Sequence, residues 1–278
     1  MATTDVSPPT LSAAALQKLL SPLDVTVELV ARSASTNTDL LTRARKRNPD
    51  LPPQVLRIAL EQTAGRGRFD RQWVSPSAQA ALTFSYGMLW PEAAQSFAGL
   101  PLVVGLALQR ALATLGAPVQ LKWPNDVLFA GRKLAGILVE SVMQGGAVYV
   151  VIGIGLNLDL PSHIRLQIAQ PVADLREALQ SSAAALAEAP DFAQQILAAI
   201  VPELQRHLQQ YRAQGFAAFS AAWNAVHLYQ DKPVQLLDGA TVVATGIARG
   251  VDEYGQLLIE TASGMRRLRS GDISLRPL

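Results

Sequence analysis

The chain has 278 residues, 49% apolar and 17% charged, which is enough for one substantial domain plus a small one and argues against disorder. A formal charge of only +2 argues against general nucleic-acid binding, and the absence of cysteine excludes disulfides and thiolate metal sites. No apolar run is long and uninterrupted enough to span a bilayer, and MATTDVSPPT lacks a basic-then-apolar signal pattern, so the cytoplasm is the expected location.

Residues 10–21 read as a short Ala/Leu-rich helix, and the β-branched run VTVELVA at 25–31 as a strand. Ser35 or Thr36 then caps a helix reaching about Arg45. That helix start also turns N–H groups and hydroxyls toward one point, so Ser35, Thr36 and Asn37 serve equally as a cap or as a ligand site. VLRIALEQT at 55–63 is a second strand, delivering Gln62 into GRGRFDRQW at 65–73.

In that run Gly65 and Gly67 allow bare backbone N–H groups to approach a ligand. Arg66, Arg68 and Arg71 add fork donors that hold carboxylate or phosphate oxygens in pairs. Taken alone, the run reads first as a solvated turn or an RNA-binding segment.

ALTFSYGMLW at 81–90 is a third strand, followed by a helix from about Ala93 to Leu115 that Gly116 and Pro118 end. VQLKWPNDVLF at 119–129 reads as a strand interrupted by Pro124. Lys122, Trp123, Pro124, Asn125 and Asp126 there combine a cation, an aromatic, an amide and a carboxylate. A β-turn at an edge strand explains Pro-Asn-Asp, but Lys122 and Trp123 are costly choices for a plain turn.

KLAGILVESVM and AVYVVIGIGLNLDL form a hairpin in the centre of the sheet. Lys133 either snorkels to solvent or enters a partly dry pocket and pairs with an anion. Gly136 would let backbone approach a ligand lying on the sheet. GIGLN at 153–157 lacks the third glycine and helix of a dinucleotide fingerprint, and neither a P-loop nor a GxSxG elbow is present.

A loop over 161–171 with Ile164, Leu166 and Ile168 separates the sheet from Ala-rich helices over about 172–188, 191–213 and 216–226. From Asp231 the pattern changes to short strands joined by Gly and Asp turns, a small β-barrel. The histidines His163, His207 and His227 are scattered without ligand spacing, so no histidine metal site is expected.

GRGRFDRQW, KWPNDV, RKLAGILVE and GIGLNL, in this order and spacing, resemble the biotin protein ligases. Ser35-Thr36-Asn37 and Gln62 fit the same pattern, and GIARGVDEYGQLLIE with SGDISLR looks like that family's C-terminal barrel. The resemblance covers nearly the whole chain. It implies an α+β fold: a mixed sheet with flanking helices, of the type shared with class II aminoacyl-tRNA synthetases, followed by an SH3-like β-barrel. A catalytic domain over 1–229 and a barrel over 230–278 are the expected division. The Ser-Thr-Asn signature arrives by residue 35, leaving no room for the helix-turn-helix of repressor members, so a ligase-only form without DNA binding is expected. One departure is Asp70, where the family usually has glycine.

The reaction so implied joins biotin to ATP as biotinoyl-5′-AMP and then transfers biotin to a lysine of the biotin carboxyl carrier protein of acetyl-CoA carboxylase. By the same resemblance Arg66, Arg68, Arg71 and Lys133 neutralise carboxylate and phosphate, with Lys122 on the phosphates. Ser35, Thr36, Asn37 and Gln62 take the ureido ring, and the strand through Gly136 and Leu138 floors the apolar tail. Trp73 and Asn157 flank the adenosine. From its charge type, Asp126, beside Asn125, is expected to orient the incoming amine or accept its proton. Mg²⁺ arrives with ATP and has no protein ligands of its own. Residues 65–73 and 161–170 are expected to order over the adenylate. Two other readings are a lipoate or other acyl-carrier ligase and an Arg/Gly-loop RNA-binding protein. No membrane partner is expected, and oligomeric state is open, a homodimer included.

Overall fold

The computed structural model describes residues 11–69, 71–75, 77, 79–90, 97–144, 146–179, 184–238, 241–269 and 273–278. Helix α1 (Ala13–Leu19) is capped by Ser12 and buries Leu16. Strand β1 (Thr26–Ser33) leads into α2 (Thr36–Arg45), whose N-cap is Ser35, its side chain accepting from Thr38 N. The chain returns as β2 (Gln54–Gln62), parallel to β1. Strand β3 (Ala81–Trp90), buried on both faces, follows.

The expected helix from about Ala93 is shorter: α3 spans Leu100–Thr114, with Gly99 at its N-cap and a proline, Pro101, in its first turn. Proline lacks an N–H and is best placed where that donor has no helical partner, which fixes the start there. Residues 91–96 lie outside the described set.

The single interrupted strand expected over 119–129 is two strands, β4 (Gln120–Lys122) and β5 (Asp126–Phe129), paired antiparallel around a cis Trp123–Pro124 peptide. Proline could not donate to a continuous ladder, and here it turns the chain back instead. The long strands β6 (Arg132–Gln144) and β7 (Ala147–Asn157) form the expected hairpin. Strand order in the seven-stranded sheet is β1-β2-β3-β7-β6-β5-β4, which puts β7 at its centre.

The segment over 161–171 is not a plain loop: Ser162–Gln167 is a helical turn and a half, α4. Ile164 is buried with Ala80, Leu160 and Val172, whereas Leu166 is 87% exposed. Apolar burial at Ile164 is what supports so short a helix. Of the helix expected over 172–188, the described residues hold α5 (Leu175–Leu179) and α6 (Ala184–Ala187), and residues 180–183 lie outside the described set. Helices α7 (Phe192–Gln214) and α8 (Ala217–Ala225) match the expectation closely. No helix among the described residues is long and apolar enough to cross a membrane.

The last five strands are β8 (Pro233–Asp238), β9 (Thr241–Val251), β10 (Leu257–Thr261), β11 (Gly264–Leu268) and β12 (Ile273–Pro277). They form an antiparallel sheet in the order β11-β10-β9-β8-β12, the SH3-like unit the sequence implied. One apolar cluster runs from the α3/α7 face of the first sheet into this second one, through Val234, Leu257 and Leu275. Trp123 Nε1 donates to Gly255 O at 3.2 Å, and Asn224 brackets Val251 with two backbone hydrogen bonds. The turn between β4 and β5 is thereby anchored on the C-terminal sheet.

Candidate active site

Cross-strand partners share a face of a sheet, so the register shows what lies together. One row reads Thr83, Gly155, Gly136, Asp126, Lys122 across five strands. The next row on that face reads Ser85, Gly153, Leu138, and Glu140 stands one step beyond it on β6. The opposite face carries the core, so these residues floor the open side.

Lys133 belongs to this face only because of a bulge. It is three residues from Gly136, an odd spacing that in a regular strand would point it to the core side. The β5–β6 register shifts between Val127 and Leu128, pairing Leu128 with Lys133. That extra residue restores the parity and brings Lys133 Nζ to 2.7 Å from Asp126 Oδ1. Lys122 Nζ stands 3.7 Å from the other oxygen, so two lysines share one carboxylate.

The electrostatics follow from that sharing. Burial pulls the Asp126 carboxyl up, but the adjacent Lys133 and Lys122 charges outweigh it and hold it below the usual carboxylate range. Burial, with Arg276 and Lys133 adding like charge, lowers Lys122 to about 8 against the opposing pull of Asp126.

The arginine loop folds as a short hairpin over this floor. Trp73 N donates to Gly65 O at 2.9 Å, Gly67 N to Arg71 O at 2.7 Å, and Arg66 bridges Gln72. Phe69, at φ 55°, turns its tip, and Arg68 stacks on the Phe69 ring at 4.7 Å. Asp70 lies outside the described residues. Arg66 reaches back to Glu140 at 2.9 Å. Trp73 lies on Gly155, which leaves no room for a methyl group beneath its ring, and packs closely over Gly136, while Lys133 Nζ is 5.7 Å from the ring centroid. Gly155→Ala should therefore lift the indole and weaken binding of a ligand on this floor by about tenfold or more, measurable by titration calorimetry.

The start of α2 supplies the polar corner. Gln62 Oε1 accepts from Thr36 N at 2.8 Å, and Thr36 Oγ1 lies 2.6 Å from Ser85 Oγ. Asn37 bonds Ser85, Leu138 O and Glu140.

A cavity of about 510 Å³ joins these parts. Ser35, Thr36, Asn37, Gln62, Arg66, Gly67, Arg68, Arg71, Trp73, Lys122, Asn125, Asp126, Lys133, Gly136 and Leu138 all line it. Two expected residues do not. Gly65 sits behind Trp73, where a Cβ would meet the Trp73 carbonyl. Asn157 is buried and donates to Ala173 O and Lys133 O, so in this structure it fastens the end of β7 rather than facing the cavity. Asn125 also has a structural tie, donating to Ile137 O at 2.8 Å.

Sequence reasoning passed over Thr83, Ser85, Glu140 and Arg276, whereas Gln167 to Gln170, which line the cavity, fall in the segment 161–170 expected to order over the adenylate. The period-two stripe Thr83, Ser85, Gly87 in an otherwise apolar strand was a usable signal for the first two. Arg276 comes from β12, so the C-terminal sheet contributes a cation to the wall. Ile168 lines the cavity, but Ile164 is packed away from it and Leu166 points to solvent, so these three apolar residues do not form a common lid in this structure. No cluster of three or more His, Asp or Glu side chains suited to a metal occurs among the described residues.

Comparison with known proteins adds to this geometry. Residues 29–157 match the Biotin/lipoate A/B protein ligase family and residues 231–276 the Biotin protein ligase C terminal domain. The chain is 33% identical to the biotin–[acetyl-CoA-carboxylase] ligase of Paracoccus denitrificans, over 88% of this chain and 98% of that one. It is 35% identical to the bifunctional ligase/repressor BirA of Escherichia coli over 79% of its residues, but spans only 65% of that relative's length. A solved biotin protein ligase from Aquifex aeolicus, in complex with biotin and ATP, superposes with a TM-score of 0.72 at 28% identity, covering 91% of this chain and 99% of that one.

Proposed function

The chain belongs to the biotin protein ligase family, and on that premise we propose that its cavity activates biotin with ATP and passes it to a lysine of a biotin carboxyl carrier protein. The observation that carries this reading is the pairing of two lysines with one buried carboxylate on a glycine floor, beneath an arginine hairpin and beside a polar corner.

In the first step a biotin carboxylate oxygen attacks the α-phosphorus of ATP, the bond to the β-phosphate oxygen breaks, and pyrophosphate leaves. Both reactants are anions, and the obstacle is their mutual repulsion. Lys133, Lys122, Arg68, Arg71 and Arg276 face the one cavity and offset it. Asp126 keeps the two lysines in place until substrate oxygens arrive. Arg66 also lines the cavity, and its guanidinium, held by Glu140, ties the hairpin to the floor. In the second step the carrier amine attacks the acyl carbon and AMP departs. Asp126, the carboxylate beside these lysines, is placed to hold or take the amine's proton once substrate has drawn Lys133 away.

Thr36, Gln62 and Ser35 would take the ureido ring, Gly136 and Leu138 the tail, and Trp73 the adenosine. Asn157 would reach the nucleotide only if its tie to Ala173 O were exchanged. Gly67 lets the hairpin backbone approach the ligand, whereas Gly65 closes the base of the hairpin behind Trp73. Mg²⁺ would enter on the nucleotide's own phosphates. The catalytic unit is assigned to 1–229 and the SH3-like unit to 230–278, the latter supplying Arg276.

A lipoyl ring carries no N–H or carbonyl and so offers no partner to the cavity-facing lone pair of Thr36, which disfavours the lipoate reading. The arginines face a cavity rather than an open basic surface, which disfavours RNA. Incubation with biotin, MgATP and a purified carrier domain should add the mass of one biotin to the carrier. Lipoate in place of biotin should add nothing; the reverse result would refute the assignment.

A further inference from the structure

The polar corner of the cavity has a direction built into its hydrogen bonds. Two acceptors stand on one side of the Asn37 amide, Leu138 O at 3.2 Å and Glu140 Oε2 at 2.9 Å. A backbone carbonyl only accepts, and a carboxylate holding Arg66 at 2.9 Å accepts as well, so the Asn37 NH₂ must face them. Asn37 Oδ1 then faces Ser85, whose hydroxyl donates to it at 2.6 Å.

A serine hydroxyl has one proton, and this one is used there. The 2.6 Å contact between Ser85 Oγ and Thr36 Oγ1 must therefore take its proton from Thr36. The contact from Thr36 Oγ1 to Gln62 Oε1 is longer, at 3.1 Å, and that oxygen already accepts the Thr36 backbone N–H at 2.8 Å. What Thr36 offers the cavity is a lone pair. Reversing the sequence would set Asn37 Oδ1 against a carbonyl and a carboxylate together.

We propose that this one-way hydrogen-bond chain, from Thr36 through Ser85 and Asn37 to Leu138 and Glu140, fixes Thr36 as an acceptor and so selects a ligand N–H at that point. Ser85 and Asn37 are then positioning residues, and the Asn37 amide is occupied by protein on both ends. The inference rests on the biotin assignment, because the ureido ring carries two N–H groups of the required kind.

Two carbamate analogues of biotin, each with one ring N–H replaced by oxygen, provide the test by titration calorimetry without ATP. Wild type should bind at least one of them about a hundredfold more weakly than biotin, since two acceptors would then face each other. Ser85→Ala leaves the Thr36 proton free to turn outward, so the same ratio should fall to about tenfold or less. Asn37→Ala should lower the ratio too, because Ser85 is then free to rotate, and thermal melts verify that both variants are folded. A merely structural role for Ser85 and Asn37 would weaken biotin and analogue alike; an unchanged ratio in both variants overturns the proposal. So does a wild-type protein indifferent to both analogues. Loss of the biotin assignment reads differently: neither biotin nor either analogue would bind the wild type, and the inference would fall with it.

Discussion

Replacing Lys133 by alanine is expected to slow biotin-dependent pyrophosphate release by about a hundred- to a thousandfold, the usual cost of removing one preorganised charge at a reacting centre. Arginine at this position should do nearly as much harm. Lys133 Nζ lies 2.7 Å from Asp126 Oδ1, and a Cβ on Gly136 would come within 3.3 Å of it. Into that corner fits a compact ammonium on a flexible stem, whereas a guanidinium is a broad planar fork. Keeping the charge therefore does not keep the geometry. Alanine has a second consequence, because Asp126 is left with Lys122 at 3.7 Å as its nearest cation. Single-turnover measurement of pyrophosphate separates this step from transfer. An arginine variant close to wild type would remove Lys133 from its assigned role.

Lys122→Met is expected to raise stability while lowering adenylation about a hundredfold, two effects of opposite sign from one side chain. Lys122 is buried, and its value of about 8 lies below the 10.5 of an exposed lysine. Between those values the unfolded chain binds more protons than the folded one, so wild-type stability rises with pH from about 8 toward 10.5. Below about 8 the charged, buried Lys122 is a destabilising contribution on the order of 3 kcal/mol, from which its attraction to Asp126 has already been subtracted. Methionine has nearly the same shape and no charge to desolvate, so a gain of about 1–2 kcal/mol at pH 7 is expected by urea unfolding. Activity runs the other way. In the free protein Lys122 loses its charge as pH rises through about 8, so kcat/KM for ATP should fall on the alkaline side. The methionine variant should lack that limb. A variant that retains the wild-type limb would show that another group titrates there.

What was legible in the sequence was local chemistry. Ser35 caps α2 because a side-chain oxygen needs only the next turn's N–H, and Gly116 ends α3 with φ 91°. The hairpin of β6 and β7 was legible because both runs are strongly apolar, as strands in the centre of a sheet are. Features that depend on partners far along the chain were not. The face of Lys133 turns on a bulge opposite Leu128, which no periodicity of 132–144 reveals. Ser85 and Glu140 matter because register sets them beside Asn37, 48 and 103 residues away. Helix α4 has no side-chain cap and rests on the burial of Ile164, a tertiary effect. Asn157 was assigned by its place in a motif, and its burial under Ala173 could not be read from that motif.

In the proposed reaction one cavity joins biotin to the α-phosphate of ATP before any carrier takes part. Exchange of labelled pyrophosphate into ATP measures that step alone. Exchange should require biotin, need no carrier domain, and be lost with Lys133→Ala in a protein that still melts cooperatively. Exchange that proceeds without biotin, or that Lys133→Ala leaves intact, would contradict the proposed reaction.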